Sequence, residues 1–133
     1  MKMSELITLA ETDTTFDKQH LSPAIMSNSC NYTKWLSFLA AEGSRLYTLT
    51  QDLDKEYSRL YIYYRFDFEW DISNRDDIKV MIKGNKEYQA KAAVVEQCRT
   101  KVNFIEGTLR AITNMGFNIG HFIKYEDLKG GFA

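Results

Sequence analysis

Twelve positions in the first half of the chain fall on one ladder of alternating three- and four-residue steps: Ile25, Ser29, Tyr32, Leu36, Leu39, Gly43, Leu46, Thr50, Leu53, Tyr57, Leu60 and Tyr64. Nine of the twelve are apolar or aromatic. Steps averaging 3.5 residues set these side chains along one seam of an α-helix, the spacing by which helices wrap around each other. Such a helix is about 60 Å long at a rise of 1.5 Å per residue, whereas a compact domain of this chain length is only about 25–30 Å across. The seam is therefore expected to need partners beyond its own fold, most simply other copies of the same chain.

Breaker residues are scarce. One proline, Pro23, and seven scattered glycines leave long stretches uninterrupted, as helices require and loop-rich β folds do not. An apolar content of 44%, with eight Tyr, eight Phe and two Trp, is too high for a disordered chain. The expected class is all-α, with residues 1–133 forming a single helical domain. No apolar run approaches the ~20 residues that span a bilayer, and no long apolar core follows Lys2, so the sequence reads as soluble, unsecreted and without a membrane partner. Cys30 and Cys98 lie in helical stretches without metal-ligand spacing and read as reduced, partly buried thiols.

Local signals divide the chain. Residues 1–20 read as a short amphipathic helix capped by Ser4, followed by a polar link. Ser22 before Pro23 is a sharper helix start, and residues 22–66 form the long helix. Trp35 and Phe38 flank the ladder at Leu36 and Leu39, a widening that suggests burial from two sides, with the N-terminal helix as the natural second neighbour. Over residues 67–84 an extended strap precedes a short helix. In the strap Phe66, Phe68, Trp70 and Ile72 alternate with Asp67, Glu69, Asp71 and Ser73, which predicts four apolar groups on one face. Ser73 then caps a short helix from about Arg75 that stops at Gly84. Residues 85–133 hold a second long helix with Tyr88, Ala92, Val95, Cys98, Val102, Ile105, Leu109 and Ile112 on its seam. Gly116 is expected to end it, Asn118 to cap a last short helix, and Gly130-Gly131 to open a loose tail.

Catalytic signatures are missing: no Gly-rich phosphate loop, no HExxH, no GxSxG and no spaced Cys/His cluster occur. No cofactor, no metal and no enzyme activity are expected. His20 and His121 read as exposed or capping residues. Asp67, Glu69 and Asp71 share a face if their segment is extended, but a divalent-metal site needs further ligands that the sequence does not offer.

Charge is unevenly placed. Residues 1–72 carry seven Lys/Arg against eleven Asp/Glu, and residues 73–124 carry nine against five, a division that can steer a polyanion to one face or let unlike helices pair. The densest mixture of rings and cations runs from Arg59 through Tyr61, Tyr63, Tyr64 and Arg65 to Phe66. Single-stranded nucleic acid is bound by such mixtures, cations neutralising phosphates while rings stack on bases. Leu60 and Tyr64 belong to the seam, which leaves Arg59, Tyr63 and Arg65 as candidate contacts. Lys55 on the same helix, and Lys79 and Lys83 one turn apart on the short helix, are added from the charge pattern alone.

Tyr32-Thr33-Lys34-Trp35-Leu36, the pair Tyr63-Tyr64 and the closing stretch from Leu109 through Gly116-Phe117-Asn118-Ile119 and His121 to Gly130 resemble, in order and spacing, the UvsY family of recombination mediators from T-even-type phages. This resemblance implies a non-catalytic protein of the host cytoplasm during infection that forms a ring-like homo-oligomer of six or seven subunits. It also implies binding to single-stranded DNA and help to the recombinase UvsX in displacing the phage single-strand-binding protein. The family's DNA-contact motif has a lysine and an arginine two apart before the double tyrosine; here Arg59 remains and Tyr57 stands where the lysine would be. The rival reading is a coiled-coil structural adapter that binds no DNA.

Overall fold

The computed structural model describes residues 1–131 and is all-α. Its elements are α1 (Met3–Asp13), α2 (Leu21–Ile62), a π-helical turn (Tyr63–Asp67), α3 (Arg75–Gly84) and α4 (Lys86–Gly131). No strand occurs among the described residues, and none of their helices is long and apolar enough to cross a membrane. The chain's contacts gather in two compact units: Met1–Ala41 with Lys101–Ala133, and Glu42–Thr100. Each long helix contributes to both.

In the first unit α1, α2 and α4 enclose a core of Leu6, Ala10, Trp35, Ile105, Leu109 and Ile112, with Phe38, Leu39 and Phe104 packed against it. The N-terminal helix is thus the second neighbour expected from the widened stripe. Trp35 is fully buried, and its indole N–H donates to Asp13 Oδ2 at 2.9 Å. The same oxygen lies 2.7 Å from Lys34 Nζ, so the buried Asp13 carboxylate is both paired and hydrogen-bonded, as burial of a charge demands.

This arrangement corrects the ladder. Trp35 points inward, whereas its ladder neighbour Leu36 is 42% exposed, and Ile25 and Tyr32 are exposed as well. The inward line of α2 here includes Asn28, whose Nδ2 donates to the Ile112 carbonyl at 3.3 Å. A search for apolar periodicity passes over such a residue. Toward the C-terminal end of α2 the ladder and the buried line coincide at Leu60 and Tyr64. On α4 the expected seam is buried from Val95 to Ile112.

Gly116 does not end α4. A glycine costs a helix interior only about 1 kcal/mol relative to alanine, and Met115 and Ile119 continue the buried line from Ile112. Phe122 lies beyond them, edge-on to Phe16 at 5.9 Å. A Cβ at Gly116 would come within 3.0 Å of Asn28 Nδ2, so this glycine serves close approach of α2 and not termination. For the same reason there is no separate helix starting at Asn118 and no loose tail at Gly130, since α4 continues to Gly131; Phe132 and Ala133 lie outside the described residues.

Caps shift by one or two residues from expectation. The backbone N–H of Lys2 donates to Glu5 Oε2 at 3.2 Å, and Ser4 lies inside α1. Helix α2 opens at Leu21, so Pro23 is its third residue, still within the first turn where its missing N–H costs nothing. Asn74, not Ser73, caps α3 by accepting from Asp76 N at 2.9 Å. Cys98 is buried as expected and Cys30 is exposed.

In the second unit Leu60, Tyr64, Ile78 and Ile82 form the core, with Tyr57, Tyr61, Phe68, Ile72, Met81 and Tyr88 around it. Asn85 ties three elements together: its Nδ2 donates to the Tyr64 hydroxyl at 3.1 Å, and its Oδ1 accepts from Tyr88 N at 3.1 Å at the start of α4.

Substituting Asp13→Ala leaves the Trp35 N–H buried without an acceptor. An unsatisfied buried donor costs about 1–3 kcal/mol, and urea denaturation is expected to show a loss of that size, with Asp13→Asn recovering part of it.

Candidate nucleic-acid interface

All six candidate contact residues lie in the second unit, but they do not form one patch. Lys55 and Arg59 line an open groove of about 500 Å³ with Leu49, Asp52, Glu56, Ala90, Lys91 and Val94. Lys79 lines a different groove of about 490 Å³ with Tyr57, Ser58, Tyr61, Ile62 and Arg75. Tyr63 and Arg65 sit in the π turn.

Charge pairing separates these places. Glu56 is drawn inward at the end of the α2 line, and its side chain is only 7% exposed. Arg59 Nη2 lies 2.5 Å from Glu56 Oε1 and its Nε donates to Oε2 at 3.2 Å, while Lys91 Nζ reaches the same Oε2 at 3.2 Å. Glu87 approaches Arg59 at 3.4 Å. The Arg59 hydrogen bond is the main reason the Glu56 carboxyl is held down from 4.5 to about 2; Lys91 adds to the effect and burial opposes it. In return the hydrogen bond with Glu56 pushes the Arg59 guanidinium above its ordinary value. Arg59 is half-exposed but its charge is already answered by two carboxylates. It ties α2 to α4 in this unit before it offers anything to a phosphate.

The α3 groove is different. Arg75, Lys79 and Lys83 follow one another at four-residue steps, which puts them on one helical face, and all three are exposed. None of the three forms an ion pair among the described residues. The groove beneath Arg75 and Lys79 is lined by two tyrosines, Tyr57 and Tyr61, and by no carboxylate. Sequence reasoning does not single out Arg75 as a contact, because Asp76 and Asp77 beside it make the segment look like a helix start alone. The four-residue spacing from Arg75 to Lys83 is the signal that would have found it.

The π turn holds the aromatic cluster. A π-helical turn adds a residue to the ordinary helical repeat and often marks functional sites. Tyr63 meets Tyr64 at 5.1 Å between ring centroids and Phe68 at 5.9 Å, both edge-to-face. Tyr63 is 41% exposed, and the Arg65 guanidinium lies over the Phe66 ring at 5.1 Å. The expected single apolar face of the strap is not formed: Phe68 and Ile72 pack on the core, whereas Phe66 and Trp70 are turned to solvent. Among the described residues no three His, Cys, Asp or Glu side chains converge to hold a metal, and His20 and His121 are both exposed.

This is an all-α protein with two long helices and exposed cationic and aromatic side chains in its second unit. Residues 9–132 match the family model described as "Recombination, repair and ssDNA binding protein UvsY", and the chain belongs to the UvsY family. Its fold is similar to three crystal structures of the recombination mediator protein UvsY of bacteriophage T4. Lattice type II matches with a TM-score of 0.88 at 18% identity over 98% of both chains. Type IV matches with 0.85 at 19% identity over 100% of both chains, and type I with 0.82 at 19% identity over 97% of this chain and 99% of the other. No curated protein sequence matches the chain. Family membership makes it a recombination and repair protein and not an enzyme.

The Glu56 pair carries a pH signature. A carboxyl whose pKa is lowered on folding stabilises the fold above its ordinary value and loses that contribution as pH falls through the folded one. Glu56→Gln is therefore expected to lower the thermal midpoint at pH 7, with the gap to the wild type narrowing between pH 4.5 and about 2. Thermal melts followed by circular dichroism across that range read it directly.

Proposed function

We propose that this protein is a recombination mediator that binds single-stranded DNA as a homo-oligomer and promotes loading of the recombinase UvsX onto DNA covered by the phage single-strand-binding protein. The α3 groove carries the reading: Arg75 and Lys79, with Lys83 in line, stand beside Tyr57 and Tyr61 without a competing carboxylate. Free cations meet phosphates and rings meet bases of any identity. The π-turn residues Tyr63 and Arg65 extend this surface. Lys55 and Arg59 contribute less, since their groove also holds Asp52 and Glu56.

Self-assembly is supported by α2. Ile25, Tyr32 and Leu36 are exposed at seam spacing on one face of the helix, and contiguous apolar surface of this kind marks an interaction site. A closed ring of six or seven subunits would repeat the α3 cations around itself, so that many weak contacts add as avidity. Holding the strand in a form that suits the recombinase better than the single-strand-binding protein shifts the competition without bond chemistry, because a mediator needs only differential affinity.

Two measurements test this. Fluorescence anisotropy with a labelled oligonucleotide is expected to show binding whose log–log salt slope has a magnitude of about 0.7 per phosphate contacted. Arg75→Ala with Lys79→Ala should weaken binding and reduce the slope by about 1.4 for each subunit engaged, whereas Arg59→Ala should act mainly on stability. A label that tumbles freely at low salt would leave only the structural adapter. In sedimentation, Leu36→Glu should shift the assembly toward smaller species; a wild-type chain that sediments as a folded monomer at micromolar concentration would end the oligomer reading.

A further inference from the structure

From the last two residues of the π turn into the link before α3 the chain reads Phe66-Asp67-Phe68-Glu69-Trp70-Asp71. None of the three carboxylates forms an ion pair among the described residues. Phe66 is 71% and Trp70 69% exposed, whereas Phe68 and Ile72 are packed on the core. Regular alternation would have carried all four apolar side chains inward. The π turn that holds Phe66 and the bend at residues 68–70 instead leave two rings exposed among the acids. A lone exposed ring is ordinary surface. Two within five residues form a presented element: Trp70 stands edge-on to Phe68 at 6.0 Å, which meets Tyr64 at 5.2 Å, and Phe66 lies under the Arg65 guanidinium.

Negative charges interleaved with flat rings along a short chain segment share the chemistry of a single nucleic-acid strand. A groove of cations and rings recognises that outline. One is on the same molecule, where Arg75 and Lys79 flank Tyr57 and Tyr61. The strap cannot enter the groove of its own copy. Its end, at Asp71 to Asn74, lines a recess with Asp77, Val80 and Met81, and at 3.6 residues per turn these α3 positions lie on the face opposite Arg75 and Lys79. Phe68 and Ile72 hold it there.

We propose that the strap of one copy docks in the α3 groove of a neighbouring copy, where it takes the place of a DNA strand. This rests on the reading of that groove as the DNA site. Charge complementarity selects the occupant: three carboxylates without ion pairs and two exposed rings on the strap match Arg75 and Lys79, with Lys83 in line, beside two tyrosines. Strap and groove are different surfaces, so the contact runs head to tail, the type that closes into rings when its rotation allows. It also makes DNA binding a displacement, in which a polyanion of higher charge density lifts each strap from the next subunit's groove.

The contact is read by disulfide trapping in the full chain with Cys30→Ser. Mixing a Glu69→Cys variant with a Lys79→Cys variant under mild oxidation is expected to give a covalent dimer that depends on both, and excess oligo(dT) should suppress it. No mixture-dependent dimer would overturn the docking, whether or not the protein binds DNA, so the two readings fail separately. A second variant, Phe66→Ala with Trp70→Ala, changes no charge. It should tighten oligonucleotide binding at low salt by about fivefold, the worth of one good ring contact. Unchanged affinity would mean the strap merely repels DNA at a distance, and weakened affinity would mean its rings stack on bases; either result overturns the proposal.

Discussion

The rotation of α2 about its own axis decides what this molecule can present. Trp35 sets it: a fully buried indole must both lose its surface to the core and find an acceptor for its N–H. Asp13, at the end of α1, supplies that acceptor. With Trp35 turned inward, Ile25, Tyr32 and Leu36 are turned outward, and this stretch of the seam is a surface. In the second unit Glu56 of the same helix is buried, and a double cation clamp makes its burial tolerable.

Much of this was legible in the sequence, and the failures share a cause. On α4 the buried positions are apolar throughout, from Val95 to Ile112, so periodicity and packing coincide. Along α2 the buried or half-buried polar residues include Asn28, whose Nδ2 donates to the Ile112 carbonyl while its Oδ1 has no hydrogen-bond partner, and Glu56, which is held by Arg59 and Lys91. Periodicity sees hydrophobicity, not hydrogen-bond partners, so it preferred Leu36 to Trp35. Gly116 misled in the same way: read locally it is a terminator, but Asn28 of another helix explains it. The strap failed for want of a third dimension, since alternation cannot foresee that a bend will bury Phe68 and expose Trp70.

The site shows the same limit in charge. A sequence displays every lysine and arginine alike, whereas folding decides which are already spent. Arg59, the residue carried over by resemblance, is clamped to Glu56 and approached by Glu87. Lys79 and Lys83, added from the charge pattern alone, form no ion pair among the described residues, and Lys79 lines a tyrosine groove with Arg75. The transferable rule is that a cation's availability depends on where folding places its nearest carboxylate, and here Glu56 is buried within reach of Arg59 and Lys91.

A net charge of −1 therefore says little about what the protein attracts. The charge is partitioned into a clamped set, which holds α2 to α4 within the second unit, and a free set, with carboxylates on the strap and cations on the opposite face of α3. A rigid element carrying opposite free charges on opposite faces is complementary to itself by translation, not by two-fold symmetry, and self-association of that kind propagates in one direction. It also leaves the cationic face open to any longer polyanion that outcompetes a short acidic strap. The proposed strap contact and a DNA strand then use the same α3 cations, and one competes for the surface that the other uses.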